Sequence, residues 1–378
     1  MQRRYFLAAV GAAKLASAQS PARVARKGRI KQWAMFVSWV WAVAPCLCAQ
    51  GGGAGPYAVV QGKEYKFEKV AEGVYYATGG FGSNDVVIVN DQDVLLVDDG
   101  TTPAAARALL ADIKLLTNKP VRTVVNTHFH YDHTGGNSVF GPEVQIIGHE
   151  FIRHAILTFD VLNREPYRTS QGTRVPALIT SLEGQIASET DLAKKAQLSK
   201  NLAAAEKLRE ELKEIKPTPP SVTYSDKLVL YKGSREIQLL FLGRGHTAGD
   251  TFVFLPKERI VCTGDMEEGP RVAYMGDAYF DEWVQTLDKL KQLDFGLVLP
   301  GHGRPFSDKA IITAFQSYLR DLTNQVAELR RQGIGAEEAA KRVDMTSHQK
   351  DFAEMKGPGA DLRGVRHLYE WMDERGRN

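Results

Sequence analysis

Cysteine is nearly missing from this chain. Cys46 and Cys48 lie within the first 50 residues and Cys262 stands alone beyond them, so residues 51–378 have no intramolecular disulfide available. Acidic residues are wholly absent from the first 50 positions, which carry eight Lys/Arg. The remainder therefore holds 48 − 8 = 40 basic residues against 45 acidic ones, a net of −5. A mildly acidic body is a poor polyanion binder, because nonspecific nucleic-acid affinity rests on neutralising phosphates. Nucleic acid is thus not expected as a partner. No internal repeat is evident, and histidine is scarce at nine residues in 378.

What is present at the start reads as an export leader over residues 1–50. Arg3 and Arg4 precede an apolar stretch, as in twin-arginine signals, and Ala16-Ser17-Ala18 offers a small-residue cleavage site. A second leader-like pattern follows, with basic residues 26–31 and then the uncharged run Gln32–Ala49. Tandem leaders are unusual, and a start codon assigned too early is one explanation. Those 18 uncharged residues reach the lower limit for a membrane anchor, the alternative reading. Pro45 and the Gly-rich stretch 51–55 fit cleavage better, and neither Cys46 nor Cys48 follows the small residue of a lipoprotein signal. The expected location is periplasmic or secreted, with no stable membrane partner after cleavage.

The densest chemistry lies in Thr127-His-Phe-His-Tyr-Asp-His-Thr-Gly-Gly136, where three of the nine histidines and an aspartate occupy six positions. Imidazole and carboxylate are ligands of first-row divalent metals, zinc above all. His128 and His130, two apart, can point the same way from an extended turn, while Asp132 and His133 face a second position. Structural zinc sites favour cysteine, whereas histidine and carboxylate sets usually leave room for water. The β-branched run Val121–Asn126 predicts a buried strand ahead of the motif, and Gly135-Gly136 is expected to let the chain turn sharply after it.

With these residues the chain resembles the metallo-β-lactamase-fold hydrolases, over roughly residues 66–306. The resemblance implies that Asp98, ending the strand-like residues 93–97, supports the metal loop from behind. It implies a first zinc held by His128, His130 and His246, a second held by Asp132, His133 and His302, and Asp265 bridging them. Two Zn2+ per chain sharing a hydroxide would attack an ester, thioester, lactone or lactam carbonyl, with Asp132 and Asp265 as the catalytic carboxylates. Asp265 is closer to glyoxalase II-like thioesterases and lactonases than to the lactamases that place cysteine or serine there, and Cys262 is three residues too early to substitute. The basic glutathione-binding residues of glyoxalase II are not identifiable. Tyr274 and Tyr279 are candidates to line the pocket, and Arg244 to meet an anionic substrate, each against a reading as packing or surface residue. The alternatives are a β-lactamase proper and a mononuclear iron dioxygenase resembling persulfide dioxygenases, held by His128, His130 and a carboxylate. A non-catalytic binding protein is disfavoured, since no ligand position is missing.

The expected fold class is α/β: a four-layer αββα sandwich with a helical insertion and extra C-terminal helices. Strand patterns at 86–89, 94–97, 121–126, 251–255 and 297–299 alternate with helical patterns at 103–116 and 281–293. The metallo-hydrolase domain is placed at residues 51–308. Its insertion at about 160–218 is expected between the two halves, either capping the site as a lid or lying as a solvated hairpin. Residues 309–378 carry amphipathic helical patterns without ligands, expected to pack on the domain or to form a homodimer. The expected partner is a small-molecule substrate.

Overall fold

The computed structural model describes residues 57–79 and 81–376, so the leader expected over 1–50 lies outside the described residues. One sheet runs β1 (Ala58–Gln61), β2 (Lys66–Ala71), β3 (Val74–Thr78), β4 (Asp85–Val89), β5 (Val94–Val97), β6 (Val121–Val125), β7 (Gln145–His149) and β8 (Val222–Tyr224) in spatial order. It is antiparallel as far as β5 and parallel from β5 to β8. The other sheet contains β9 (Lys227–Lys232), β10 (Arg235–Leu240), β11 (Phe252–Leu255), β12 (Ile260–Gly264) and β13 (Leu297–Pro300), of which only β12 and β13 pair in parallel. Each of the parallel pairs β5–β6 and β12–β13 needs a helical crossover. These are α1 (Pro103–Ile113) and α7 (Phe280–Gln292).

Strands buried on both faces read as unbroken apolar runs, because each alternating set of side chains has its own dry neighbour. Val86, Ile88, Leu95 and Val97 face the other sheet and meet Leu239, Val253, Leu255 and Leu299. The intervening Val87, Val94 and Leu96 face outward to Leu109 and Ile113 of α1. On the far side, Phe252, Phe254 and Val261 pack against Trp283, Leu287 and Leu290 of α7. Phe315 and Leu319 of α8 (Lys309–Arg331) complete that layer, joined by α9 (Ala336–Arg342) and α10 (Leu362–Gly376) through Ala339 and Leu368. The layers are therefore helix, sheet, sheet, helix, the metallo-β-lactamase arrangement expected for the chain.

Between β7 and β8 lie the helices of the insertion, and their place differs from expectation. The short α2 (Tyr131–Thr134) precedes β7, whereas α3 (Glu150–Thr158), α4 (Tyr167–Thr169), α5 (Val175–Ser188) and α6 (Leu192–Leu212) all follow it. The helical insertion therefore interrupts the first sheet before its last strand and does not separate the two halves. The three-residue β8, coming just after Pro217–Pro220, is too short to show a period-2 pattern. Ile179 and Leu182 of α5 pack against Ala205, Leu208 and Leu212 of α6, and Tyr131 of the histidine motif joins this cluster. No helix among the described residues is long and apolar enough to cross a membrane.

Trp283 fastens α7 to the loop that follows β12. It is fully buried, its ring centre is 5.2 Å from that of Phe315, and its Nε1 donates to the Met266 carbonyl at 3.0 Å. Trp283→Ala is expected to cost about 3–5 kcal/mol of stability through cavity formation, read from urea unfolding.

Candidate metal centre

Parallel strands carry their C-terminal ends in one direction, so residues just beyond them are delivered to a common edge. Asp98 follows β5, the histidine motif follows β6, Asp265 follows β12 and His302 lies two residues beyond β13. His246 comes from the connection between β10 and β11. That connection is closed by Asp250, which accepts from the Thr247 amide at 2.8 Å and the Thr247 hydroxyl at 2.7 Å.

The seven residues predicted to be ligands converge. His130 Nδ1 lies 3.0 Å from His128 Nε2 and 3.1 Å from His246 Nε2. His302 Nε2 is 3.3 Å from Asp132 Oδ2 and 3.4 Å from His133 Nε2. Asp265 stands between the two sets. Its Oδ2 is 3.8 Å from His128 Nε2, 3.7 Å from His246 Nε2 and 3.3 Å from His302 Nε2, and its Oδ1 is 3.2 Å from His133 Nε2. Asp265 Oδ1 is also buried without a hydrogen-bond partner among the described residues.

Outer partners decide which ring nitrogens face inward. Asp98 Oδ2 accepts from the Thr127 hydroxyl at 2.8 Å and lies 2.8 Å from His133 Nδ1, while its Oδ1 accepts from the Thr127 amide at 2.8 Å. The carboxylate places the His133 proton on Nδ1 and leaves the Nε2 lone pair for the centre. Thr127, having given its own proton to Asp98, can only accept from His128 Nδ1 at 3.1 Å, which frees His128 Nε2 in the same way. His130 is turned the other way round, with Nε2 3.0 Å from Asp277 Oδ2 and Nδ1 inward. Reciprocal amide bonds between Asn126 and Asn137, at 2.9 and 3.1 Å, pin the loop beneath.

The two sides of the centre differ in charge. Burial, followed by the neighbouring His133, holds His128 well below the ordinary imidazole range, and burial pushes His246 down to about 3. His128 and His246 therefore present neutral nitrogen donors. Burial would raise Asp132, but His133 and His302 outweigh it and bring the carboxyl down to about 2. Burial would likewise lower His302, but Asp265 and Asp132 lift it to about 10. Anionic oxygens on this side therefore call for positive charge close by. Converging imidazoles beside buried carboxylates, with Asp265 Oδ1 left without a partner, fit a divalent cation, which binds deprotonated ligands.

Backbone proximity dictates the glycines. Gly135 and Gly136 have ordinary right-handed backbone angles, so the sharp turn expected of them is not their role. A Cβ on Gly135 would sit 2.0 Å from the Thr101 carbonyl oxygen, and one on Gly136 2.3 Å from that of Asp99. A Cβ on Gly301 would meet Asp265 Oδ1 at 2.5 Å. These positions let the loop after β6 pack directly on the loop after β5, and the loop after β13 close on the carboxylate.

Of the substrate candidates, only Tyr274 borders the centre, its ring centre 5.6 Å from that of His130 and 6.2 Å from that of His246. Arg244 and Tyr279 pair with each other instead. The Arg244 guanidinium lies 4.3 Å from the Tyr279 ring centre and donates through Nε to Glu282 at 2.8 Å, which leaves it on the surface. The other histidines are structural or, like the exposed His154, on the surface. His149 Nδ1 accepts from the Phe151 amide and caps α3, His348 meets Asp321 at 3.0 Å, and His367 meets the Ala278 carbonyl at 2.9 Å. Sequence reasoning missed Asp277 and Arg164, 113 positions apart and joined by an ion pair, since nothing local signals such a contact. Asp250, spaced three from Thr247, was open to detection as a turn-closing carboxylate.

Residues 78–302 match the metallo-beta-lactamase superfamily, and the chain belongs to that family. It is similar, at 23% identity over 291 residues, to the linear primary-alkylsulfatase of Pseudomonas sp. (strain ATCC 19151), covering 74% of this chain and 53% of that protein. At 26% over 221 residues it is similar to the 2,4-dinitroanisole O-demethylase subunit alpha of Nocardioides sp. (strain JS1661), covering 57% and 51% respectively. At 25% over 268 residues it is similar to the probable metallo-hydrolase YqjP of Bacillus subtilis (strain 168), covering 66% and 77%. The chain thus spans about half the length of the first two relatives. Among solved structures, DIM-1 metallo-beta-lactamase is 20% identical with a TM-score of 0.47, covering 70% of this chain and 99% of that one. The metallo-beta-lactamase from Pontibacter korlensis is 19% identical with a TM-score of 0.45, covering 70% and 99%. All seven clustered donors lie within the matched span, which makes this cluster the candidate metal centre of the family domain.

Asp98 is the acceptor on which the orientation rests, and it sits at φ +60°, a region aspartate tolerates better than alanine. Asp98→Ala would leave the Thr127 amide, the Thr127 hydroxyl and His133 Nδ1 without their acceptor. The expected result is a loss of about 3–5 kcal/mol of stability in the metal-free protein, measured by urea unfolding.

Proposed function

We propose that the protein is a dinuclear zinc hydrolase acting on a substrate with an ester, thioester, lactone or lactam carbonyl. The observation that carries this reading is the position of Asp265, whose carboxylate faces the three-histidine set and the Asp132–His133–His302 set at once. His128, His130 and His246 would hold one ion, Asp132, His133 and His302 the other, and Asp265 both. When bound, such a pair supplies water activated at neutral pH and Lewis-acid stabilisation of a developing oxyanion. The protein's own residues keep the donors aimed. Asp132, anchored through its carbonyl by the Ser83 hydroxyl, would orient the attacking water and accept its proton.

Cys262 supports a hydrolase with Asp265 as ligand over the cysteine-ligand lactamases. Its side chain is buried in the core between the sheets, where burial pushes the thiol well up, so it offers no thiolate to the centre. The complete second donor set favours two ions over the single iron of a dioxygenase. A periplasm-like setting belongs to the same proposal, on the twin-arginine pattern at Arg3 and Arg4.

Protein purified without added metal is expected to contain two zinc ions per chain and to turn over one of a panel of chromogenic lactone, thioester, lactam and ester substrates. A primary alkyl sulfate belongs in the panel, because one relative is named for that substrate class. Chelation should abolish turnover and added zinc restore it. His128→Ala should lose metal and at least about 100-fold in activity together. One iron per chain, or turnover that survives metal stripping, would contradict the proposal.

A further inference from the structure

His130 is held from behind by a two-residue chain that reaches another part of the molecule. Its outward Nε2 is 3.0 Å from Asp277 Oδ2, and the other oxygen of Asp277 accepts from Arg164 Nη2. Asp277 comes from the segment between β12 and α7, whereas Arg164 comes from the segment between α3 and α4 that leads into the helical insertion. Arg164 is itself placed by aromatic rings, its guanidinium carbon 4.7 Å from the centre of Phe159 and 5.8 Å from that of Phe129. Phe129 is the residue between the two histidines of the motif, and its ring centre is 4.7 Å from that of His130.

We infer that Asp277 and Arg164 form a positioning relay for the three-histidine metal site, through which the insertion's leading segment helps to set the orientation of His130. The inference rests on the zinc reading above. An imidazole offers its lone pair from one nitrogen only when the other keeps the proton, and a carboxylate at the outer nitrogen enforces that tautomer. His130 needs this most, because it alone of the motif histidines presents Nδ1 inward. Neither Thr127 nor Asp98, which serve His128 and His133, touches it. A carboxylate on a segment without regular structure needs its own anchor, and a charged guanidinium donor supplies one. Among the described residues Arg164 makes no hydrogen bond or ion pair with a proposed ligand, and its polar link to the site runs through Asp277.

The test compares wild type, Asp277→Asn, Arg164→Met and the double variant in zinc competition against a chromogenic chelator, together with the absorption spectrum of the cobalt-substituted proteins. Asp277→Asn should weaken one of the two zinc equivalents by about 10–100-fold, leave the other within about twofold, and shift the cobalt absorption. Arg164→Met should weaken the same equivalent by a smaller factor, and the double variant should be no worse than Asp277→Asn alone, as expected for residues in series. Arg164 is partly exposed, so its variant reads the relay even where Asp277→Asn does not fold. Both equivalents unchanged within twofold, or both weakened equally, would overturn the relay. A wild type that takes up no second zinc would instead sink the dinuclear reading on which the relay rests.

Discussion

Two imidazole nitrogens, of His128 and His246, within 3.0 and 3.1 Å of a third, that of His130, and all buried, form an arrangement that a protein interior resists. Lone pairs aimed at one point repel, and each ring would gain by turning or by taking a proton. For His128 and His130 the structure opposes both escapes from outside the cluster. Asp98 holds His133 directly and His128 through Thr127, and Asp277 holds His130. Everything else in the fold can be understood as keeping those outer acceptors in place.

The sandwich does this by packing two parallel strand pairs of different sheets face to face. The β5–β6 pair delivers Asp98 and the histidine motif, and the β12–β13 pair delivers Asp265 and His302. Contact between the two groups needs closer approach than side chains allow, which is why Gly264 and Gly301 stand where they do. A Cβ on Gly264, which also has φ +52°, would meet the Thr127 hydroxyl at 2.6 Å. The apolar core between the sheets supplies the rigidity, and the α7 layer adds Trp283, whose ring centre is 5.6 Å from that of His246.

Much of this was open to a reader of the chain. Strands β4, β5 and β6 announce themselves because both of their faces are dry, and α1 and α7 end within a few residues of their periodic patterns. The seven donors could be named because metal ligation uses few residue types and places them at strand ends. Three features resisted. The place of the insertion depended on β8, whose three residues carry no periodicity. The motif glycines looked like turn residues, whereas their reason is the carbonyl of a loop some 35 positions away in sequence. Arg244 and Tyr279 looked available to a substrate until packing joined them to each other and to Glu282.

The chain by itself determined the donor inventory, the alternation of buried strands and crossover helices, and hence the layered class. Those properties are local, written in residue type and in spacing of a few positions. Tertiary structure alone decided which nitrogen of each histidine faces inward, that Asp265 stands between two sets, and that Arg164 reaches Asp277. Each of these depends on contacts between segments tens to hundreds of residues apart, and local sequence holds no record of a distance that only the packing of two sheets creates.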